Sequence, residues 1–148
     1  LADELAERFI RERRSRHALF PETEHVLQEL YSGHRLALVT NGVPDLQREK
    51  IQATNLERFF ESLVLSGDVG VGKPDPRIFS VALEGLSASP EEAVMVGDSL
   101  HRDIAGARGV GMRGIWVNRA RAAADIDITP EGEVAALTGI EDALQEFE

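Results

Sequence analysis

Short apolar runs alternate with amphipathic stretches along the chain, and their order predicts a succession of strands and helices. Leu1, Leu5, Phe9 and Ile10 recur at helical spacing within residues 1–17. Pro21 interrupts that pattern. A second helix is predicted from Glu22 to Tyr31, with Val26, Leu27 and Leu30 inward and Gly33 as its stop. Arg35 to Thr40 reads as a mostly apolar strand, turned by Asn41-Gly42 into a helix that opens at Pro44 and runs through Ala53. Leu56 to Phe60 predicts a further helical turn, with Phe59 and Phe60 packed beneath a sheet. Ser62 to Leu65 is the next strand, expected to end in a loop over residues 66–72.

Asp75 suits an N-cap and Pro76 a first helical position, so a helix is expected through Leu86. Ser89-Pro90-Glu91-Glu92 predicts a helical turn feeding a strand from Ala93 to Val96. Gly97-Asp98 then converts that strand into a helix with Asp103 in its first turn, continued by Ile104 to Val110 and ended at Gly111. Arg113 to Asn118 is another strand, residues 124–129 a minor edge strand, and residues 138–148 an acidic amphipathic helix. Helices alternating with short apolar strands mean βαβ units, hence an α/β fold with a doubly wound parallel sheet. Ligands of such sheets lie beyond the carboxyl ends of the strands. Thr40-Asn41, the loop to Lys73, and Asp98 all follow strands, so they should emerge at one edge.

Composition narrows the options. There are no cysteines, which excludes disulfides, thiolate metal sites and a Cys nucleophile. A formal net charge of -10 argues against nucleic acid or an anionic membrane surface as partner. No apolar run is long enough to span a bilayer, so cytoplasm is the default expectation. The chain opens at Leu1 inside a helical pattern, which suggests a segment of a longer protein.

The residues gathered at the edge suit phosphoryl chemistry, which asks mainly for positioning and charge neutralisation. Thr40, Asn41 and Gly42 offer a hydroxyl and backbone N–H groups to a phosphate oxygen. Lys73, its backbone restricted by Pro74, can neutralise a nucleophile and a phosphoryl group together. Asp98 would ligate Mg²⁺, a hard cation that takes oxygen ligands, and Asp103 would hold a metal-bound water or orient Lys73. Each has a plainer reading: Thr40 as a strand residue, Asn41-Gly42 as a turn, Lys73 as a solvated lysine, Asp98 as a helix cap. His101 reads as solvent-facing or at the substrate's edge, Trp116 as core, and the arginines at 11, 13, 14 and 16 as a solvated face that could also attract an anionic substrate.

In order, TNG (40–42), GVGKPDPRIF (70–79) and VGDSLHRDIAGA (96–107) resemble the second, third and fourth motifs of the haloacid dehalogenase superfamily. The likeness runs from about Pro21 to Asn118 and is greatest to Mg²⁺-dependent phosphatases with a small helical cap. TNGVPDLQREK resembles the branch holding pyrimidine nucleotidases and sugar-acid phosphatases. The resemblance implies that residues 1–17 are the last cap helix and residues 18–148 the core. It further implies that Thr40 binds a phosphoryl oxygen, Lys73 steadies nucleophile and phosphate, Asp98 ligates Mg²⁺ and Asp103 supports that site. The implied partner is a small phosphorylated substrate.

The family's first motif, a strand ending Asp-x-Asp-x-Thr/Val that supplies the nucleophile and general acid, has no match. Asp125-Ile126-Asp127 lies at the wrong end of the chain. In the family fold that strand sits mid-sheet, between the strands ending at Thr40 and Asp98. Without it those neighbours should stand roughly 10 Å apart with unpaired backbone groups. The expectation is therefore an N-terminally truncated piece, inactive as a hydrolase and a weak binder of Mg²⁺. Three rivals stand beside a phosphatase. A 2-haloacid dehalogenase would typically carry Ser-Ser-Asn at Val96-Gly97-Asp98; a phospho-acceptor receiver module would place its acidic pair first; a non-catalytic descendant would have lost the first motif outright.

Overall fold

The computed structural model describes residues 4–7 and 19–147. Residues 4–7 are helical; the rest of the cap helix expected over residues 1–17 lies outside the described residues. The ordered elements begin with α1 (Thr23–Gly33), β1 (Ala37–Thr40) and α2 (Pro44–Ala53), then β2 (Ser62–Leu65), α3 (Ser66–Val69) and α4 (Pro76–Leu86). They continue with β3 (Val94–Gly97), a π-helical turn over Leu100–Ala105, α5 (Gly106–Gly109), β4 (Arg113–Val117), β5 (Gly132–Val134) and α6 (Ile140–Gln145). No helix among the described residues is long and apolar enough to cross a membrane.

Local chemistry sets several of these boundaries. Pro44 occupies the first turn of α2. Asp75 caps α4, its carboxylate accepting from the Arg77 backbone N–H at 2.9 Å, with Pro76 as the first helical residue. Before β3, the Glu92 carboxylate reaches back to the Ser89 N–H at 2.9 Å, half of a capping box. Two expectations about local elements need correction. The stretch after β2 is not simply a loop: Ser66–Val69 makes one helical turn, because Gly67 can pass so close to Pro44 that a Cβ would lie 2.1 Å from its Cγ. The edge strand is Gly132–Val134, not residues 124–129. Ile126 and Ile128 do point inward, onto Leu100, Ile104 and Trp116, but their backbone joins no ladder.

Among the described residues every strand pairing is parallel, as the α/β pattern requires, yet the strands form two sheets rather than one. β1 pairs β2, with Thr40 opposite Leu65. β3 pairs β4, and β4 pairs β5, with Gly97 opposite Trp116. Both sheets share the same cover. On one face Val64, Ile78, Phe79, Ala82 and Ala107 are buried against Val39 of β1 and Met95 of β3. On the other, Val26 and Leu30 of α1 and Ile140 of α6 pack on Leu36, Val96 and Val134. Met95 and Val96 fall in different clusters because successive strand residues face opposite ways. All four residues of β1 and of β3 are only partly buried, unlike Gly114 to Val117 of β4. Among the described residues, each of these two strands leaves one edge without a ladder partner.

Phe59 is buried as expected, edge-on to Tyr31 with ring centroids 6.2 Å apart, while Phe60 stays partly exposed.

Candidate active site

The carboxyl ends of β1 and β3 and the loop before α4 meet around a cavity of about 180 Å³, lined by Thr40, Asn41, Lys73, Asp98, Ser99, Arg102 and Asp103. Five of the six residues singled out from the sequence are brought together there. Gly42 is not among them. Its φ of +124° turns the chain away from β1, and its N–H donates to Ser66 Oγ at 3.2 Å, so that amide is already engaged.

Lys73 and Asp103 form the polar centre. Lys73 Nζ lies 2.7 Å from Asp103 Oδ1, and both side chains are largely buried. Apart from that ammonium, Asp103 Oδ1 has no partner among the described residues, although it is shielded from solvent. Asp103 Oδ2 is satisfied, accepting from the Ser99 N–H at 3.1 Å. An ionised carboxylate only 4% exposed is costly unless charge and hydrogen bonds compensate it, and here one oxygen retains capacity for a further donor.

Asn41 does something that its place in a turn motif did not suggest. Its side chain clamps the lysine loop from both sides, Nδ2 donating to the Lys73 carbonyl at 3.0 Å and Oδ1 accepting from the Lys73 N–H at 2.8 Å. This fixes Lys73, at the cis Lys73–Pro74 bond, against the end of β1. The Thr40 hydroxyl donates to the Asn41 carbonyl at 3.1 Å, a local bond that a better acceptor in the cavity can displace.

Asp98 follows β3 directly. Its carboxylate is exposed, and no described residue pairs with it. Its backbone is held: the Trp116 indole N–H donates to the Asp98 carbonyl at 3.0 Å. Trp116 is thus core, as expected, and also an anchor for the residue beside the cavity. After Asp98, Ser99 Oγ accepts from the Arg102 N–H at 3.1 Å, opening the π-helical turn that carries Asp103. Such π turns concentrate at functional positions. Gly97 permits the whole arrangement, since a Cβ there would lie 2.2 Å from Asp103 Oδ2. His101 is exposed and does not line the cavity.

These groups fit Mg²⁺. Among the described residues no three His, Cys, Asp or Glu side chains gather as a cage. Mg²⁺ asks for less, binding through one or two carboxylates and completing its shell with waters and phosphate oxygens. A solvent-facing Asp98 and a buried Asp103 carboxylate, whose Oδ1 meets only the Lys73 ammonium among the described residues, supply that set.

A family model described as haloacid dehalogenase-like hydrolase matches residues 2–111. Phosphoserine phosphatase of Thermus thermophilus is 50% identical over 137 residues, 92% of this chain and 55% of that protein. Glyceraldehyde 3-phosphate phosphatase of Pyrococcus furiosus is 46% identical over 84 residues, 57% of this chain and 35% of that protein. The chain therefore spans about half or less of the length of these relatives. Among solved structures, a HAD-hydrolase of Bacillus subtilis bound to magnesium superposes with a TM-score of 0.82 at 29% identity, over 86% of this chain and 57% of that one.

Proposed function

The chain belongs to the haloacid dehalogenase-like hydrolases, and on that footing we propose that its cavity is the phosphate and metal end of a Mg²⁺-dependent phosphatase for small phosphomonoesters. The observation that carries this reading is the convergence of Thr40, Lys73, Asp98 and Asp103 on one small polar cavity. Relatives named for phosphoserine and glyceraldehyde 3-phosphate support the substrate class.

The roles follow from the contacts. Thr40 turns its hydroxyl from the Asn41 carbonyl to a non-bridging phosphoryl oxygen. Lys73, fixed by Asn41 and Asp103, offers positive charge where negative charge gathers, and being preorganised it needs little rearrangement. Asp98 would hold Mg²⁺, and Asp103 would support that site while keeping Lys73 in place. Bound magnesium supplies charge neutralisation and alignment of the phosphoryl group.

The nucleophile is an Asp outside these 148 residues, carried by a strand lying between β1 and β3. The two unpartnered strand edges under a shared helical cover support that placement. The Asp carboxylate bonds to phosphorus as the ester P–O bond breaks, and water then cleaves the resulting aspartyl-phosphate. The test is phosphate release by the full-length protein from phosphoserine, glyceraldehyde 3-phosphate and sugar phosphates. Release with Mg²⁺ that stops on chelation is expected. Metal-independent halide release from a 2-haloacid, with no phosphate release, would assign the site to dehalogenation instead.

A further inference from the structure

Arg102 was not among the residues singled out from the sequence, yet it lines the cavity with all those that were brought together there. Most polar side chains of that lining are committed to one another. Asn41 holds the Lys73 backbone, Lys73 faces Asp103, Thr40 bonds the Asn41 carbonyl, and Ser99 Oγ accepts from the Arg102 N–H. Two charged groups remain unpaired among the described residues: the Asp98 carboxylate and the Arg102 guanidinium. Asp98 precedes the N-cap Ser99 while Arg102 lies within the turn, and the two do not form an ion pair.

The backbone beneath Arg102 is rigid, held by Ser99 on one side and by the buried Asp103 on the other. The side chain is exposed, at the mouth of the cavity rather than in its floor. A ligand whose phosphate reaches Thr40 and Lys73 therefore presents its remaining part to Arg102. A guanidinium is a planar fork that engages a carboxylate through two parallel N–H···O bonds, which a lysine cannot reproduce.

We infer that Arg102 is a specificity-determining residue that binds a carboxylate on the alcohol portion of the substrate, so that the preferred esters are those of hydroxy acids. This rests on the phosphatase reading for the position of the phosphate. It is tested by calorimetric binding of glycerate 3-phosphate and glycerol 3-phosphate, alike in phosphate and differing in the carboxylate, to the full-length protein with Mg²⁺.

The wild type should bind glycerate 3-phosphate more tightly, and Arg102→Gln should shrink that preference by about 10- to 100-fold, the scale of a charge-assisted pair. Arg102→Lys should recover only part of it. No preference in the wild type, or an unchanged preference in Arg102→Gln, would overturn the inference. So would equal losses for both ligands, which would make Arg102 a phosphate clamp. Binding with the expected Arg102-dependent preference but no phosphate release would support the inference and count against the phosphatase reading alone.

Discussion

At the scale of single residues, the site depends on close approach and on anchors behind the visible charges. Gly97 is the sharpest case. Its missing Cβ leaves the space that Asp103 Oδ2 occupies, and Asp103 in turn faces Lys73. Gly97→Ala should force the π-helical turn outward and lower stability by about 1–3 kcal/mol, as overpacking does. Thermal unfolding measures this, and an unchanged Tm would show that Asp103 moves aside freely. Trp116→Phe keeps an aromatic side chain, though a smaller one, and removes the donor to the Asp98 carbonyl. Losing a hydrogen bond of about 0.5–1.5 kcal/mol should weaken Mg²⁺ binding by roughly 2- to 10-fold in a calorimetric titration. Identical affinities would mean that the indole packs against Asp98 without positioning it.

Secondary elements show where local pattern suffices and where it does not. α2 and β2 have the limits expected from Pro44 and from the apolar run 62–65, because proline geometry and side-chain character act within a few residues. The short helix after β2 was hidden by its glycines, since Gly67 serves contact with Pro44 across space. Alternating Ile126 and Ile128 resembled a strand, but the same inward-facing pattern is met by an unpaired segment packed on Trp116. The start of α1 carries a prediction of its own. Glu22 accepts from Arg119 at 2.8 Å, and Arg119 covers the Phe20 ring, tying the approach to α1 to the residues after β4. A backbone N–H first, and then Arg119, hold the Glu22 carboxyl below the ordinary glutamate value. The unfolded chain then binds the extra proton more readily, so this contribution is full above about pH 4.3 and fades as pH falls through the lowered value. Glu22→Gln should flatten that part of the acid-unfolding curve. Superimposable curves would show that Glu22 makes no pH-dependent contribution.

For the whole molecule, the α/β class and the convergence of strand ends were legible because apolar runs and the carboxyl-end rule together fix one edge. Thr40, Lys73, Asp98 and Asp103 could be named from it. The Asn41 clamp, the Trp116 anchor and Arg102 could not, since each depends on how distant segments meet or where a side chain settles. The single sheet expected from the pattern is instead two sheets under common helical layers, with β1 and β3 only partly buried. The proposed function turns on Asp98, at the end of β3, bringing magnesium to a phosphate held by Thr40 and Lys73. Steady-state phosphate release by the full-length protein bearing Asp98→Asn tests this most directly, because the change removes one negative charge at nearly constant shape. Turnover should fall by at least about 100-fold, as for a lost electrostatic contact in a transition state. Wild-type turnover with the same Mg²⁺ dependence would remove Asp98 from the site's chemistry.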